Sequence, residues 1–362
     1  MKHIINTHTH IFTFDHVPRK FLPFGLVRYL AKKRRSAKLA RFLNSLWPLS
    51  DKDVLDRFAS FVSQGYEKSQ QDILESLIRF YPEGTQFVVL PMDMEYMGAG
   101  LPHIRYPEQM KDLLELKRKQ QYAEILRPFV FAHPSRPGIT EHVKEYIGEH
   151  GFSGIKIYPP LGYYPFDDRL DEVFAYAEEK QIPIMTHCSH PVVFYKGKIR
   201  KKMRIHPLTG ELLKKEKNKK FADNWTHPDN YKEVLRKFPE LKICFGHFGG
   251  SSEWIKYYGH TSEEAYKSSW FYQIKKLILQ HPNVYADVSY ALSDEALLPM
   301  LKLLLTDPKL SNKILFGSDF YMARIEGQEF KFSIALRAAI GEDNFKRIAV
   351  DNPRVYLGMK GI

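Results

Sequence analysis

Cysteines and long apolar runs are both scarce in this sequence. Among 362 residues there are only two cysteines, Cys188 and Cys244, which excludes a disulfide-stapled scaffold. No stretch approaches the roughly 18 uncharged apolar residues of a membrane span, and no early stretch has the pattern of a secretory signal peptide. With 44% hydrophobic and 27% charged residues, the composition is typical of a globular protein. We expect a cytoplasmic location.

Acidic residues are almost missing from two segments. Residues 17–41 carry nine Lys or Arg and no acid, and residues 196–220 carry eleven with two acids. The rest of the chain is mildly acidic, so the net charge of +12 is weak support for nucleic-acid binding. Apolar spacing within 24–47 predicts a lid helix, with a membrane-surface helix as the alternative. The second segment predicts a lysine-rich loop or hairpin, and both segments could steer an anionic substrate.

A glycine-rich phosphate turn is also absent after the first predicted strand, which argues against a doubly wound nucleotide-binding sheet. Instead, eight short apolar runs alternate with segments of helical period. The runs are 3–10, 85–93, 126–133, 152–159, 182–188, 241–248, 283–289 and 313–320. Eight strand–helix units predict a (β/α)8 TIM barrel of the α/β class. We expect a single domain over residues 1–362, with long insertions at about 11–69 and 191–226, after strands 1 and 5.

Polar side chains stand at the carboxyl ends of three of these strands. His8 and His10 in the stretch THTH share one face of an extended strand. His187 ends the fifth strand and Asp319 ends the eighth. In a barrel these ends meet at one mouth, and imidazole and carboxylate are ordinary ligands of a divalent ion. The sequence therefore predicts a metal site.

Other residues near these strand ends have different expected roles. Lys156 ends strand 4 and could anchor a substrate carboxylate, and His190 is either a solvated loop residue or a weaker substrate contact. Asp287 ends strand 7, where a structural hydrogen bond is the expected role. Period-2 counting turns both Cys188 and Cys244 away from the barrel interior, as buried packing thiols.

Several phrases resemble the amidohydrolase superfamily, in the amidohydrolase-related branch that includes aminocarboxymuconate-semialdehyde decarboxylase. They are THTH (7–10), GFSGIKIYPPLGYYP (151–165), IPIMTHCS (182–189), ICFGHFGG (243–250), NVYADVS (283–289), FGSDF (316–320) and DNPRVYLGM (351–359). The resemblance implies a barrel with one or two divalent ions, usually zinc. It implies that His8, His10, His187 and Asp319 are metal ligands and that His247 is catalytic.

The expected activity is that of a metal-dependent hydrolase. A metal-activated water would attack an amide, ester or lactone carbonyl of a small substrate that we expect to be anionic, with Asp319 and His247 as catalytic groups. One Zn²⁺ is expected; two metals bridged by a carboxylated Lys156 are the alternative. The same ligands also support non-oxidative decarboxylation of an unsaturated or aromatic acid, which is the alternative activity.

A non-catalytic basic protein that binds nucleic acid or anionic membrane is the second alternative. The complete set of candidate ligands argues against it, so we expect neither nucleic acid nor a membrane surface as partner. A homo-oligomer is possible.

Overall fold

The computed structural model describes residues 3–21, 69–259, 262–289, 294–320 and 328–359, with side chains of the last range from residue 333. Its centre is a sheet of eight parallel strands that follow one another in chain order. The strands are β1 Ile5–Thr9, β2 Gln86–Val89, β3 Leu126–Phe131, β4 Gly154–Ile157, β5 Ile184–Ser189, β6 Ile243–Gly249, β7 Val284–Asp287 and β8 Ile314–Leu315.

Backbone contacts between the first and last strands close this sheet into a barrel. The amide of Thr7 donates to the carbonyl of Phe316 at 2.9 Å, and that of His10 donates to Phe320 at 2.6 Å. Thr9 and Phe320 also form a parallel bridge. The predicted (β/α)8 barrel is therefore confirmed, and the carboxyl ends of β1 and β8 lie side by side.

Helices connect and cover the strands. The α-helices are α1 Gln70–Ile78, α2 Tyr106–Arg118, α3 Gln120–Ala123, α4 Ile139–Gly148, α5 Asp171–Glu179, α6 Asn218–Thr226, α7 Tyr231–Lys237, α8 Ser251–Tyr258, α9 Glu263–Lys267, α10 Trp270–Gln280, α11 Leu298–Leu304, α12 Pro308–Ser311, α13 Gln328–Ile340, α14 Glu342–Lys346 and α15 Asn352–Tyr356. Short 3₁₀ turns are Phe14–His16, Pro159–Leu161, Asp168–Leu170, Lys201–Arg204, Pro228–Asn230 and Glu295–Leu297, and Arg347–Asp351 is a π-helical turn. No helix among these described residues is long and apolar enough to cross a membrane.

Hydrophobic side chains form two separate layers of core. The larger layer packs the outer face of the barrel against the helices. The smaller layer fills the lower barrel and contains Ile5, Val88, Leu90, Phe129, Met185, Cys244, Tyr285, Leu315 and Tyr356. Because Tyr356 comes from the last helix, the chain closes the bottom of its own barrel. The filled base leaves polar chemistry to the opposite, carboxyl end.

The two cysteines lie on opposite sides of the barrel wall. Cys188 faces the helices, where its thiol contacts the carbonyl of Thr226 at 3.5 Å, as predicted. Cys244 faces the interior, so its predicted outward orientation is wrong. The alternation of β6 fails at its end, where His247 and Phe248 have φ values of 67° and 44°. Counting backward from His247 across that irregularity gives the wrong face.

The structure describes the second predicted insertion but only a small part of the first. The predicted lid helix at 24–47 lies outside the described residues. The insertion after β5 contains a hairpin, as predicted, because Ile205 and Leu212 form an antiparallel bridge. It also contains α6, which periodicity missed within the lysine-rich stretch.

Candidate metal centre and active site

His8, His10 and Asp319 meet where the ends of β1 and β8 adjoin. Nε2 of His10 lies 3.3 Å from Oδ1 of Asp319, and Nε2 of His8 lies 3.7 Å from the same oxygen. One ligand atom from each residue falls within 4.8 Å of the others, and all three side chains are buried. The structure thus brings together three of the four predicted ligands.

Hydrogen bonds fix which nitrogen of each histidine faces Asp319. Nδ1 of His10 lies 2.8 Å from the carbonyl of Leu90, which can only accept, so Nδ1 carries the proton. Nδ1 of His8 likewise donates to Oδ2 of Asp287 at 2.8 Å. In neutral rings both Nε2 atoms are then lone-pair acceptors, and both face a carboxylate oxygen. Three acceptors that converge in a buried place fit a cation between them, so these residues suit a divalent ion.

A second group of potential ligand atoms is formed by His8, His247 and Asp287. In this group Asp287 already accepts ordinary hydrogen bonds: from His8, from the backbone amides of His247 at 3.1 Å and Ser289 at 3.0 Å, and from the Ser289 hydroxyl. These donors account for both oxygens of Asp287 without an ion. The group with Asp319 is therefore the better metal site, and Asp287 holds His8 in position behind it.

His187 and His247 are hydrogen-bonded to each other. Nδ1 of His187 lies 3.1 Å from Nε2 of His247, and Nδ1 of His247 lies 3.0 Å from Oγ of Ser289. Because the Ser289 hydroxyl donates to Asp287, its oxygen accepts from His247. His247 then accepts from His187, which leaves Nε2 of His187 as a lone-pair acceptor, as a ligand would require. That nitrogen lies 3.3 Å from the Ser189 hydroxyl.

Burial sets the charge of the polar groups at this end of the barrel. It lowers the pKa of His8 to about 4 and also lowers the pKa values of His187 and His247, so the rings are neutral at neutral pH. Burial alone would raise the pKa of Asp287, but His8 and the Ser289 hydroxyl hold that pKa below its usual range. The carboxylate stays ionised. Burial alone would also raise the pKa of Asp319, but the neighbouring His10, His247 and His8 hold that pKa below its usual value. Neutral imidazoles and an ionised carboxylate are the forms that bind metals.

The backbone around these residues is strained. His247 and Asp319 are in the left-handed region, with φ values of 67° and 57°, a conformation that costs a non-glycine residue on the order of 1–3 kcal/mol. The Asp319 amide donates to the His8 carbonyl at 2.9 Å, which fixes that turn. Gly317 leaves room for His8, since a Cβ there would lie 2.7 Å from the Cβ of His8. Strain of this kind concentrates at functional sites.

Lys156 lies inside the barrel with no exposure. Its Nζ has no hydrogen-bond partner among the described residues, and burial lowers its pKa to about 8. Nζ lies 5.9 Å from the centroid of the Tyr158 ring. An unpaired buried ammonium is costly, so the position is suited to an anion or to ordered water.

His190 lies beyond β5 in a different arrangement. Its ring nitrogens lie 3.0 Å from Asp223 and 3.1 Å from Glu253, and its ring packs on Trp270. The hydrogen bonds that its ring donates to these two carboxylates raise its pKa to about 9. Both ring nitrogens therefore bind protein carboxylates. The substrate contact of His190 stays a prediction.

Two side chains that contact the site histidines, Ser289 and Tyr158, were not identified from the sequence. Ser289 lies two residues after Asp287, just as His10 lies two residues after His8. This repeated spacing at a strand end is the sequence signal that could have identified Ser289. Tyr158 packs on His187 with ring centroids 4.3 Å apart. No sequence signal marks that contact, because it depends on the path of the loop after β4.

Solved structures with the same fold cover almost the whole chain. A 2,6-dihydroxybenzoate decarboxylase from Rhizobium is 13% identical, with 100% of both chains covered and a TM-score of 0.55. A 5-carboxyvanillate decarboxylase from Novosphingobium aromaticivorans, complexed with manganese, is 14% identical, with 99% of this chain and 96% of that chain covered and a TM-score of 0.52. A 4-oxalomesaconate hydratase from Rhodopseudomonas palustris is 16% identical, covering 98% of this chain and 95% of that one, with a TM-score of 0.50. At such identities the likeness establishes the fold alone.

The hydrolase activity expected from the sequence is wrong on this comparison. Most of the similar structures are decarboxylases of aromatic acids, and these neighbours favour the alternative, non-oxidative decarboxylation. The error has a chemical reason: ligands that activate water toward a carbonyl also suit the loss of carbon dioxide, so the ligand set did not distinguish the two reactions.

Family membership rests on a separate comparison. The model of the amidohydrolase family matches residues 79–358, which is more than half of the chain and confirms the resemblance seen in the sequence. Comparison with curated proteins gives no match. The family is metal-dependent, in agreement with the buried histidine and aspartate groups at the barrel mouth. The chain belongs to the amidohydrolase family.

Proposed function

We propose that this protein is a metal-dependent, non-oxidative decarboxylase of an aromatic or unsaturated carboxylic acid. The observation that carries the proposal is the convergence of His8, His10 and Asp319, with three acceptor atoms facing one another in a buried site. The names of several similar structures support this reaction class, since they are decarboxylases of carboxylated aromatic rings.

His8, His10 and Asp319 would hold one divalent ion, with His187 as the predicted fourth ligand. When bound, such an ion supplies Lewis-acid chemistry toward a substrate oxygen. Zinc is the ion that the sequence predicts, whereas the carboxyvanillate decarboxylase carries manganese. Both ions therefore belong in the assay.

Lys156 is our choice for the group that binds the substrate carboxylate. Its ammonium is buried and unpaired among the described side chains, so an anion that reaches it gains a charge-assisted hydrogen bond. This contact also selects a small anionic substrate, as the sequence predicts. The alternative, a carboxylated Lys156 that bridges two ions, would remove that positive charge and the selection with it.

Loss of carbon dioxide breaks one carbon–carbon bond and leaves the electron pair on the substrate carbon, which then takes a proton. We propose His247 as the group that moves this proton, with Asp319 as the second catalytic group. Hydrogen bonds join His247 to His187 and Ser289, so a proton can pass along this chain. Imidazole is well suited to such acid–base work.

Carbon dioxide release tests the proposal directly. Purified protein loaded with Zn²⁺ or Mn²⁺ is incubated with 2,6-dihydroxybenzoate, 5-carboxyvanillate and related aromatic or unsaturated acids, and evolved carbon dioxide is measured. We expect His10→Ala to abolish release and bound metal together. His103→Ala is the matched control, because that side chain is 75% exposed, and it should change neither. Hydrolysis of a carbonyl substrate without carbon dioxide release from any acid would overturn the proposal.

The single domain, the cytoplasmic location and the homo-oligomer stay predictions from the sequence.

A further inference from the structure

The insertion after β5 forms a hairpin with two different faces. We call residues 200–215 the β5 hairpin. Its arms are joined by the bridge between Ile205 and Leu212 and by the Leu213 amide, which donates to the Arg204 carbonyl at 2.8 Å. These backbone contacts between the two arms show that the hairpin is a defined element of the fold.

The inner face of the β5 hairpin packs on the barrel. Met203 and Leu213 are partly buried against the outer core layer. The ring of His206 lies 5.1 Å from that of Tyr164. These contacts fix which side of the hairpin faces outward.

The outward side is apolar. Ile205 is 43% exposed and Leu212 is 49% exposed, and because they are bridge partners their side chains lie on the same face. Leu208 is 55% exposed at the turn between them. Three large aliphatic side chains on one small projection are more than the single exposed apolar residues that a surface ordinarily carries.

Cations surround this apolar tip. The exposed basic residues on and beside the hairpin are Lys198, Arg200, Lys201, Lys202, Lys214, Lys215, Lys217, Lys219 and Lys220. The same stretch has two acids, Glu211 and Glu216. None of these nine cations forms a salt bridge with another described residue, so their charge is not neutralised locally.

We infer that the β5 hairpin docks on an anionic lipid surface, with Ile205, Leu208 and Leu212 in the interface and the surrounding lysines at the headgroups. Aliphatic side chains bury in the boundary between headgroups and acyl chains, and basic residues beside them are attracted to anionic lipid. This goes beyond the proposed reaction and differs from the expectation that a membrane is not a partner. That expectation rested on the set of candidate metal ligands and did not consider the exposed aliphatic tip.

Two other partners fit the hairpin less well. A second copy meeting the same patch across a two-fold axis would place like charges opposite each other. A single-stranded nucleic acid would call for aromatic side chains that stack on bases, but the hairpin's aromatic ring, His206, packs inward on Tyr164.

Vesicle sedimentation tests the inference with the full-length, metal-loaded protein. The probes are vesicles of phosphatidylcholine alone and of phosphatidylcholine mixed with phosphatidylserine. We expect binding only to the mixed vesicles, and weakening as salt rises. Replacing Ile205, Leu208 and Leu212 together by serine should reduce binding about tenfold or more. Replacing Lys201, Lys202, Lys214 and Lys215 by glutamine should reduce it on the order of 10³-fold, because four cations no longer attract the anionic headgroups.

The matched control is Leu303→Ser. Leu303 is 61% exposed on α11, away from the hairpin in the chain, and this variant should bind vesicles like wild type. Leu208→Ser alone is a second variant, for the case in which the triple variant does not fold, because Leu208 lies at an exposed turn. It should partly reduce vesicle binding.

Equal binding to both vesicle types, or undiminished binding by Leu208→Ser and the triple variant, would overturn the inference. A wild-type protein that ignores vesicles, with a triple variant that falls from dimer to monomer, would show an interface between copies instead. A wild-type protein that binds an oligonucleotide but not the vesicles would show a nucleic-acid site.

Discussion

Asp287→Asn should weaken metal binding without touching a proposed ligand. Oδ1 of Asp287 accepts from two backbone amides and the Ser289 hydroxyl, whereas Oδ2 accepts from Nδ1 of His8. An asparagine keeps its oxygen where the three donors are, so its NH₂ group faces His8. That donor forces Nδ1 of His8 to accept, which moves the ring proton to Nε2, the nitrogen that faces Asp319.

The expected loss of metal affinity follows from the role of Asp287 in orienting His8. Loss of the carboxylate that orients a metal-binding histidine typically costs 10–100-fold in affinity, or about 1.4–2.8 kcal/mol. Chelator competition gives the dissociation constant, and ¹⁵N NMR of the metal-free protein reports which nitrogen of His8 carries the proton. We expect weaker binding and a changed tautomer together.

Asp93→Asn is the matched control for this experiment. Asp93 is also fully buried near a strand end, but it accepts from Nε of Arg136 at 2.7 Å instead of a histidine. Its replacement should lower stability and leave metal affinity unchanged. Wild-type affinity in Asp287→Asn, or an equal loss in Asp93→Asn, would refute the reasoning, because the effect would then not pass through His8.

Four further outcomes test the site. His8→Ala or Asp319→Ala should each remove the bound ion, measured by elemental analysis, and full occupancy in both would exclude this ligand set. His247→Asn should keep the ion but lose activity by about 10²–10⁴-fold, and loss of the ion would make His247 a ligand. Lys156 should be an unmodified amine by mass spectrometry, with activity independent of bicarbonate; two ions about 3.5–4 Å apart would contradict this. Gly317→Ala should weaken metal binding, because the added Cβ would press on His8, and unchanged affinity would show that the backbone yields.

The parts of the site that sequence predicts are those fixed by barrel topology. His8, His10 and Asp319 converge because consecutive parallel strands bring β1 next to β8. That convergence needs only the strand order and the alternation of side chains. The convergence of these three candidate ligands can therefore be predicted from the sequence.

The sequence-based predictions were wrong at strand ends, where side chains no longer alternate between the two faces of the strand. Left-handed backbone at His247 and Phe248 breaks the alternation from which the face of Cys244 was counted, and the pairing of β5 with β6 shifts register after His187. Helix α8 begins two residues after β6 ends, without the polar linker that usually separates two elements, so the sequence gives no separate signal for it. Each error comes from the short stretch in which a strand turns into a loop.

Reaction class was harder to predict than metal binding for a related reason. His8, His10 and Asp319 belong to the barrel wall, and their convergence is common to reactions as different as hydrolysis and decarboxylation. The choice between reactions depends on what the substrate presents to them, and so on groups such as Lys156 and Tyr158, which the chain places around β4. An ammonium without a hydrogen-bond partner among the described residues would, on our proposal, favour a carboxylate, whereas a neutral amide or ester would leave its charge uncompensated. The lysine, more than the metal ligands, should therefore separate acids from neutral carbonyl compounds as substrates.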